Sequence, residues 1–225
     1  MVDAALANLC GADVVAVLTR APSAGGKTRL FAELGRPCDP ALLEALLLDT
    51  VDGVRAAAAQ GIVCVEPAVA VDALRALVPD MPVIAQTDGD LGQRMRGCMD
   101  ALFDAGVSRV ALVGSDLPTL SGDVMDAAFR ALDADPRGLV LGPSVDGGYF
   151  LIAAASTPPV FDGIRWGRPD VLAQTVRAAA LAGWNVQFVS ALSDVDDAEG
   201  LARAAGDVAP RTAAWVSRNI PRSPR

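Results

Sequence analysis

The chain has 225 residues, enough for one α/β domain with an ample core, and its net charge of −8 argues against non-specific binding to nucleic acid or anionic membranes. No apolar run approaches the ~18 residues of a membrane span, and residues 1–12 lack the basic and apolar regions of a secretory leader, so a soluble cytoplasmic protein is expected. Histidine is absent, which removes His-dependent nucleophilic catalysis and most zinc sites and leaves oxygen ligands, hence Mg²⁺ or Mn²⁺, for any metal.

The opening element is the Val-rich run from Val14 to Leu18, which reads as a buried parallel strand. Pro22, Gly25 and Gly26 break it into a loop that carries Lys27 and Arg29. A glycine-rich turn after the first strand of an α/β sheet can face backbone N–H groups towards an anion, and neighbouring cations add the opposite charge. Lys27 is the only lysine in the chain, so a compact point charge suited to phosphate is kept where almost every other cation is arginine. The alternative is a solvated turn with two surface cations.

Residues 27–34 then make up to two helical turns, and a long helix runs from Asp39-Pro40 to residue 59, ended by Gly61. Strands follow at 62–66 and 82–85 with a helix at 69–77 between them, then a helix at 90–105 stopped by Gly106. The strand at 109–114 leads into Ser115-Asp116-Leu117-Pro118, and Ser121 opens a helix to residue 132. Strands at 139–142 and 148–152, a helix at 168–182, a strand at 186–189 and a helix at 197–205 complete a single domain over residues 1–209. Residues 210–225 are expected to be a C-terminal tail, loose at its end. Of the four cysteines Cys10, Cys38, Cys64 and Cys98, none forms a Cys-x-x-Cys pair, and Cys64 and Cys98 fall at core positions. Alternating strands and helices imply an open, mostly parallel Rossmann-like sheet, with ligands beyond the carboxyl ends of its strands.

Several acids fall at or just after those strand ends. Asp116, two residues past an apolar strand, stands where a hard cation bridging to phosphates could be held. In Asp194-Val195-Asp196, extended alternation would put both carboxylates on one face, where they repel unless a cation intervenes. One of Asp194 or Asp197 can instead cap the last helix, which leaves Asp196 as a ligand. Gly26-Lys27-Thr28 matches the end of a P-loop, but Ala21 replaces its first glycine and Gly35 and Pro37 stop the helix that should follow. A dinucleotide fingerprint is absent.

Beyond these single features, the order and spacing of several motifs are similar to those of a bacterial GT-A-like family in the nucleotide-diphospho-sugar transferase superfamily. That family is related to 2-phospho-L-lactate guanylyltransferase and molybdenum-cofactor guanylyltransferase. The motifs are Arg20-Ala21-Pro22 with Lys27-Thr28-Arg29-Leu30, Gly89-Asp90-Leu91-Gly92-Gln93-Arg94-Met95, Gly114 to Leu120, Leu141 to Ile152, Ile164-Arg165-Trp166-Gly167 and Asp194-Val195-Asp196. The chain departs from the pattern at Arg20, where lysine is usual, in a shorter loop before Lys27, and at Arg168-Pro169.

The resemblance implies a GT-A fold with nucleotide around Leu18, Thr19, Arg20, Gly25, Gly26, Lys27 and Ser115, closed over by Gly89, Gly92 and Arg94. It implies a divalent cation on Asp116 and Asp196, with Lys27, Arg29 and Asp116 serving catalysis. Asp146, Gly147, Gly148, Tyr149 and Trp166 would form the sugar or acceptor pocket, although Tyr149 and Trp166 also suit half-buried packing. The partners implied are a nucleotide sugar or nucleoside triphosphate and a small-molecule acceptor. Glycosyl transfer is favoured on the Asp146-Gly147-Gly148-Tyr149 turn. Nucleotidyl transfer, with Lys27 and Arg29 neutralising pyrophosphate, is the alternative, and a non-catalytic nucleotide-binding protein is the third.

Overall fold

The Val-rich opening run becomes β1 (Asp13–Arg20), the centre of one side of a seven-stranded sheet. The other strands are β2 (Gln60–Glu66), β3 (Val83–Ala85), β4 (Arg109–Gly114), β5 (Gly138–Pro143), β6 (Tyr149–Ala154) and β7 (Asn185–Phe188). Their order is β3-β2-β1-β4-β6-β5-β7, and every pairing is parallel except those of β6, which runs antiparallel to β4 and β5. This computed structural model describes residues 6–135, 137–206 and 208–220.

Alternation along β1 divides the core in two. Val15 and Val17 face α2 (Pro40–Arg55), α3 (Val71–Leu77) and α5 (Gly122–Leu132), whereas Val14 and Ala16 face α4 (Leu91–Asp104) and α6 (Val171–Leu181). Cys64 and Cys98 are buried in the second layer, as expected from the sequence, with their sulfurs 3.0 Å apart. Two short helices, α1 (Thr28–Glu33) and α7 (Ala198–Ala204), join α8 (Pro210–Asn219) and the start of α2 in a third cluster around Trp215 and Val195.

Three local expectations change. The long helix stops at Arg55 rather than at residue 59, and Gly61 lies inside β2. Alanines 56–59 favour helix, but the Ala58 amide donates to Asp126 of α5 at 3.0 Å, and a tertiary contact overrides a weak propensity. Ser121 takes the N-cap position of α5 without a side-chain hydrogen bond. Residues 210–219, read as the start of a tail, form α8 packed on α2; the end of that tail, 221–225, lies outside the described residues. The Arg211 and Thr212 amides donate to the buried Asp49 of α2 at 3.2 and 2.8 Å, so the carboxylate that satisfies the first turn of α8 comes from another helix.

Candidate active site

The carboxyl ends of β1 and β4 lie side by side, with Leu18 opposite Gly114 in the register, and everything of chemical interest gathers there. After β1 the chain turns through Gly25 and Gly26 into Lys27, whose backbone is left-handed at φ 49° and ψ 42°. That conformation is uncommon for a residue with a Cβ and marks a position held by its surroundings. What holds it is charge. The Lys27 Nζ donates to Oδ2 of Asp116 and Oδ1 of Asp196. Burial of the ammonium opposes its charge, but these two carboxylates outweigh it and hold the Lys27 pKa above its ordinary value.

The acids are placed by three backbone and packing devices. The Leu117 amide donates to the hydroxyl of the fully buried Thr50 at 3.0 Å, which ties the Ser115–Leu117 turn to α2. The carbonyl of Asp116 accepts from the Val195 amide at 3.0 Å, which brings the late segment alongside the β4 turn. Val195 itself is buried against Leu30 and Leu201. Residues 190–196 are not a strand, yet burying Val195 leaves Asp194 and Asp196 on the side facing Asp116. One carboxylate oxygen from each of Asp116, Asp194 and Asp196 lies within 4.8 Å of the others. Asp197, not Asp194, caps α7, accepting from the Gly200 amide at 2.8 Å.

Asp194 is the odd member. Desolvation first, then the charges of Asp116, Asp196 and Asp146, push its pKa up to about 6 against the opposing pull of Lys27, and Ser144 donates to it at 3.2 Å. A carboxyl whose folded pKa is raised holds its proton more tightly in the native state. Its contribution to stability is full below its ordinary value near 3.8 and is lost as pH rises through about 6. Urea midpoints at pH 5 and pH 7, without divalent cations, should therefore fall less in Asp194→Asn than in the parent chain. An equal fall in both would overturn this assignment.

Two cavities meet at this edge, sharing Leu18, Leu91 and Gly114. The first, of about 270 Å³, is walled by Thr19, Arg20, Gly25, Gly26, Lys27, Ser115 and Asp116 on one side and by Glu66, Gln86 and Arg94 on the other. The second, of about 280 Å³, takes in Asp146, Gly148, Tyr149 and Trp166. The sequence-anticipated residues thus sort themselves. Lys27, Asp116 and Asp196 converge, as do Leu18, Thr19, Arg20, Gly25, Gly26, Arg94 and Ser115 around the first cavity. Gly89 and Gly92 line neither cavity. Asp90 and Gln93 form a capping box beside Gly89, and a Cβ on Gly92 would meet the Trp166 ring at 2.7 Å. Arg29 turns outward, its side chain 70% exposed and paired with Glu33 and Asp197. Gly147, at φ 90°, backs onto the Pro169 carbonyl, where a Cβ would come within 1.9 Å.

Sequence reasoning passed over Glu66 and Gln86, and it gave no cavity role by name to Leu91, Met95 and Arg168, which it met only within its motifs. Glu66 ends β2 and pairs with Arg94, and the same rule of acids at strand ends that found Asp116 would have found it. Gln86 donates to the carbonyls of Thr19 and Cys64 at 2.9 and 2.7 Å, a role no local pattern signals.

Residues 50–168, more than half of the chain, match the profile of a family described as "Uncharacterized protein conserved in bacteria (DUF2064)". The chain belongs to the DUF2064 family. No curated protein sequence matches this DUF2064 chain. Among solved structures it is similar to a protein of Desulfovibrio desulfuricans G20 provisionally described as a nucleotide-diphospho-sugar transferase. Identity is 29% over 93% of this chain and 97% of that one, with a TM-score of 0.81. A nucleotidyl transferase from Methanothermobacter thermautotrophicus is 18% identical over 85% and 95% of the two chains, with a TM-score of 0.63. A 4-diphosphocytidyl-2C-methyl-D-erythritol synthase from Anaerococcus prevotii DSM 20548 is 13% identical over 86% and 97%, with a TM-score of 0.53. The last two are likenesses of fold alone. The DUF2064 chain has the nucleotide-diphospho-sugar transferase fold that its motifs led us to expect. None of its described helices is long and apolar enough to cross a membrane.

Proposed function

We propose that this chain is a transferase that takes a nucleotide-activated donor in the first cavity and passes a glycosyl group to an acceptor in the second. The observation that carries the reading is the convergence of the lone lysine and three carboxylates at the junction of β1 and β4. Lys27 sets an ammonium where a diphosphate would lie between the Gly25-Gly26 turn and Ser115. Arg20 and Arg94 also line that cavity; Arg94 is paired with Glu66, but its buried Nε has no partner among the described residues, a donor left for a ligand.

The acids suit a hard divalent cation. All three offer oxygen, no soft ligand joins them among the described residues, and Lys27 offsets part of their mutual repulsion. Asp116 and Asp196, with Asp194 third, would hold Mg²⁺ or Mn²⁺, which when bound supplies charge stabilisation to a departing diphosphate. In the transfer the acceptor oxygen bonds to the sugar carbon as the sugar–phosphate bond breaks. The electron pair leaves with the nucleoside diphosphate, and the acceptor's proton passes to a carboxylate of the cleft. Glycosyl rather than nucleotidyl transfer is favoured by the Asp146-Gly147-Gly148-Tyr149 turn, of which Asp146, Gly148 and Tyr149 line the second cavity, and by the 29% identity over most of both chains to the protein provisionally described as a nucleotide-diphospho-sugar transferase.

The test is product analysis with Mg²⁺ and a panel of nucleoside triphosphates and nucleotide sugars. Release of a nucleoside diphosphate supports this reading. Pyrophosphate release would replace it by nucleotidyl transfer, and tight binding with neither product by a nucleotide sensor. Lys27→Ala is expected to weaken nucleoside diphosphate binding roughly 10- to 100-fold, as for loss of a charge-assisted contact, and to leave binding of the nucleoside unchanged. Calorimetric titration of both ligands checks this, and equal losses for the two would refute the phosphate role.

A further inference from the structure

The walls of the second cavity have the wrong chemistry for a carbohydrate. Apolar side chains dominate them, among them Leu91, Met95, Leu112, Ile152, Trp166 and Val171. The polar side chains are few and partly spoken for. Asp146 Oδ1 already accepts from the Gly148 amide at 3.0 Å, and the Tyr149 hydroxyl faces the Met95 sulfur at 4.0 Å. Arg168 stands on the exposed side. A sugar ring brings several hydroxyls, and each one buried without a partner costs about 1–3 kcal/mol. An apolar ring pays no such penalty, and its burial is favourable at roughly 25 cal/mol per Å².

Shape and exposure point the same way. Trp166 meets Tyr149 edge to face at 6.4 Å and 79°, so the two rings make a cornered apolar wall. Leu91 is 40% exposed at the seam of the two cavities, an apolar side chain that a ligand would cover. The volume of about 280 Å³ exceeds the ~150 Å³ that suffices for benzene.

We infer that the acceptor is a small alcohol with an apolar, ring-sized body, seated in this cavity with its hydroxyl turned towards the shared seam at Leu18 and Gly114. The inference rests on the transferase reading above, which supplies the donor on the other side of that seam.

The experiment compares benzyl alcohol with glucose, both neutral ring-sized alcohols, by saturation-transfer NMR titration of the full chain. Benzyl alcohol is expected to bind at least tenfold more tightly. Met95→Trp, which fills the cavity, should remove that binding. Because Met95 is buried and the variant could fail to fold, Leu91→Asp at a solvent-facing position is the second variant, expected to weaken binding at least tenfold. Glucose binding as tightly as benzyl alcohol would overturn the inference, as would benzyl alcohol binding that survives whichever variants fold. Uridine diphosphate and guanosine diphosphate are titrated into the same sample. Benzyl alcohol binding without nucleotide binding would sink the donor reading and leave the cavity assignment standing; the reverse pair of results would sink the cavity assignment alone.

Discussion

Asp116→Asn is expected to lower turnover about a thousandfold, within the range seen when one charge-stabilising group is removed from a preorganised site. Asp116 accepts from Lys27, has a carboxylate oxygen within 4.8 Å of the other two acids, and lines the first cavity. The substitution keeps the shape and removes the charge, so the Lys27 ammonium loses one of its two counter-charges and a divalent cation one of its ligands. The fold should not notice. The side chain is part-exposed, and the backbone bond from Val195 goes to the Asp116 carbonyl, which asparagine retains. Turnover is read as nucleoside diphosphate release with Mg²⁺ present, and folding as a melting temperature within a few degrees of the parent. Activity within tenfold of the parent would show that charge at Asp116 is not what the site uses.

The second large effect concerns the packing of α8, behind the segment that carries Asp194 and Asp196. Trp215→Ala should destabilise the chain by about 3–5 kcal/mol, the range for truncating a large buried aromatic. Trp215 is 2% exposed and anchors α8 in the cluster made by Leu30, Phe31, Leu42, Leu46 and Val195. Its indole N–H donates to Asp39 at 2.8 Å, and the Arg36 guanidinium stacks 4.9 Å from its ring centre. Two of the helices it braces, α1 and α7, are only 6 and 7 residues long and depend on packing for their stability. Urea unfolding of the parent and the variant measures the difference; a change below 1 kcal/mol would mean that α8 is only lightly attached.

The sheet was legible because its strands are short Val-rich runs bounded by glycine, proline and aspartate. The loop that carries Lys27 to the acidic cluster was legible because a single lysine in an arginine-rich chain stands out. Asp116 followed from its place just past an apolar strand. What stayed hidden depends on contacts distant in sequence. The carboxylate serving the first turn of α8 is Asp49, 163 residues before the amide of Thr212, so no local signal marked residues 210–219 as a helix. That Asp194 and Asp196 share one face followed from their alternation; that this face turns to Asp116 depends on the bond from Val195 to the Asp116 carbonyl. Gly92 sat in a motif assigned to the nucleoside, but its bareness serves the approach of Trp166. Arg29 looked like a partner of Lys27 because only Thr28 separates them in the chain. Two positions at about 100° each turn it away from Lys27, and it pairs with Glu33 one turn further along α1.

The reversal of β6 separates two tasks within the molecule. Because that strand runs against its neighbours, its first residue, Tyr149, emerges at the same rim as the last residues of β1 and β4. The short hairpin 144–148 therefore hangs over the rim without belonging to any crossover. Re-lettering residues 145–148 while keeping Ser144, which donates to Asp194, is expected to reshape a wall of the second cavity with the least disturbance to the charged centre, whose other members stand on other elements.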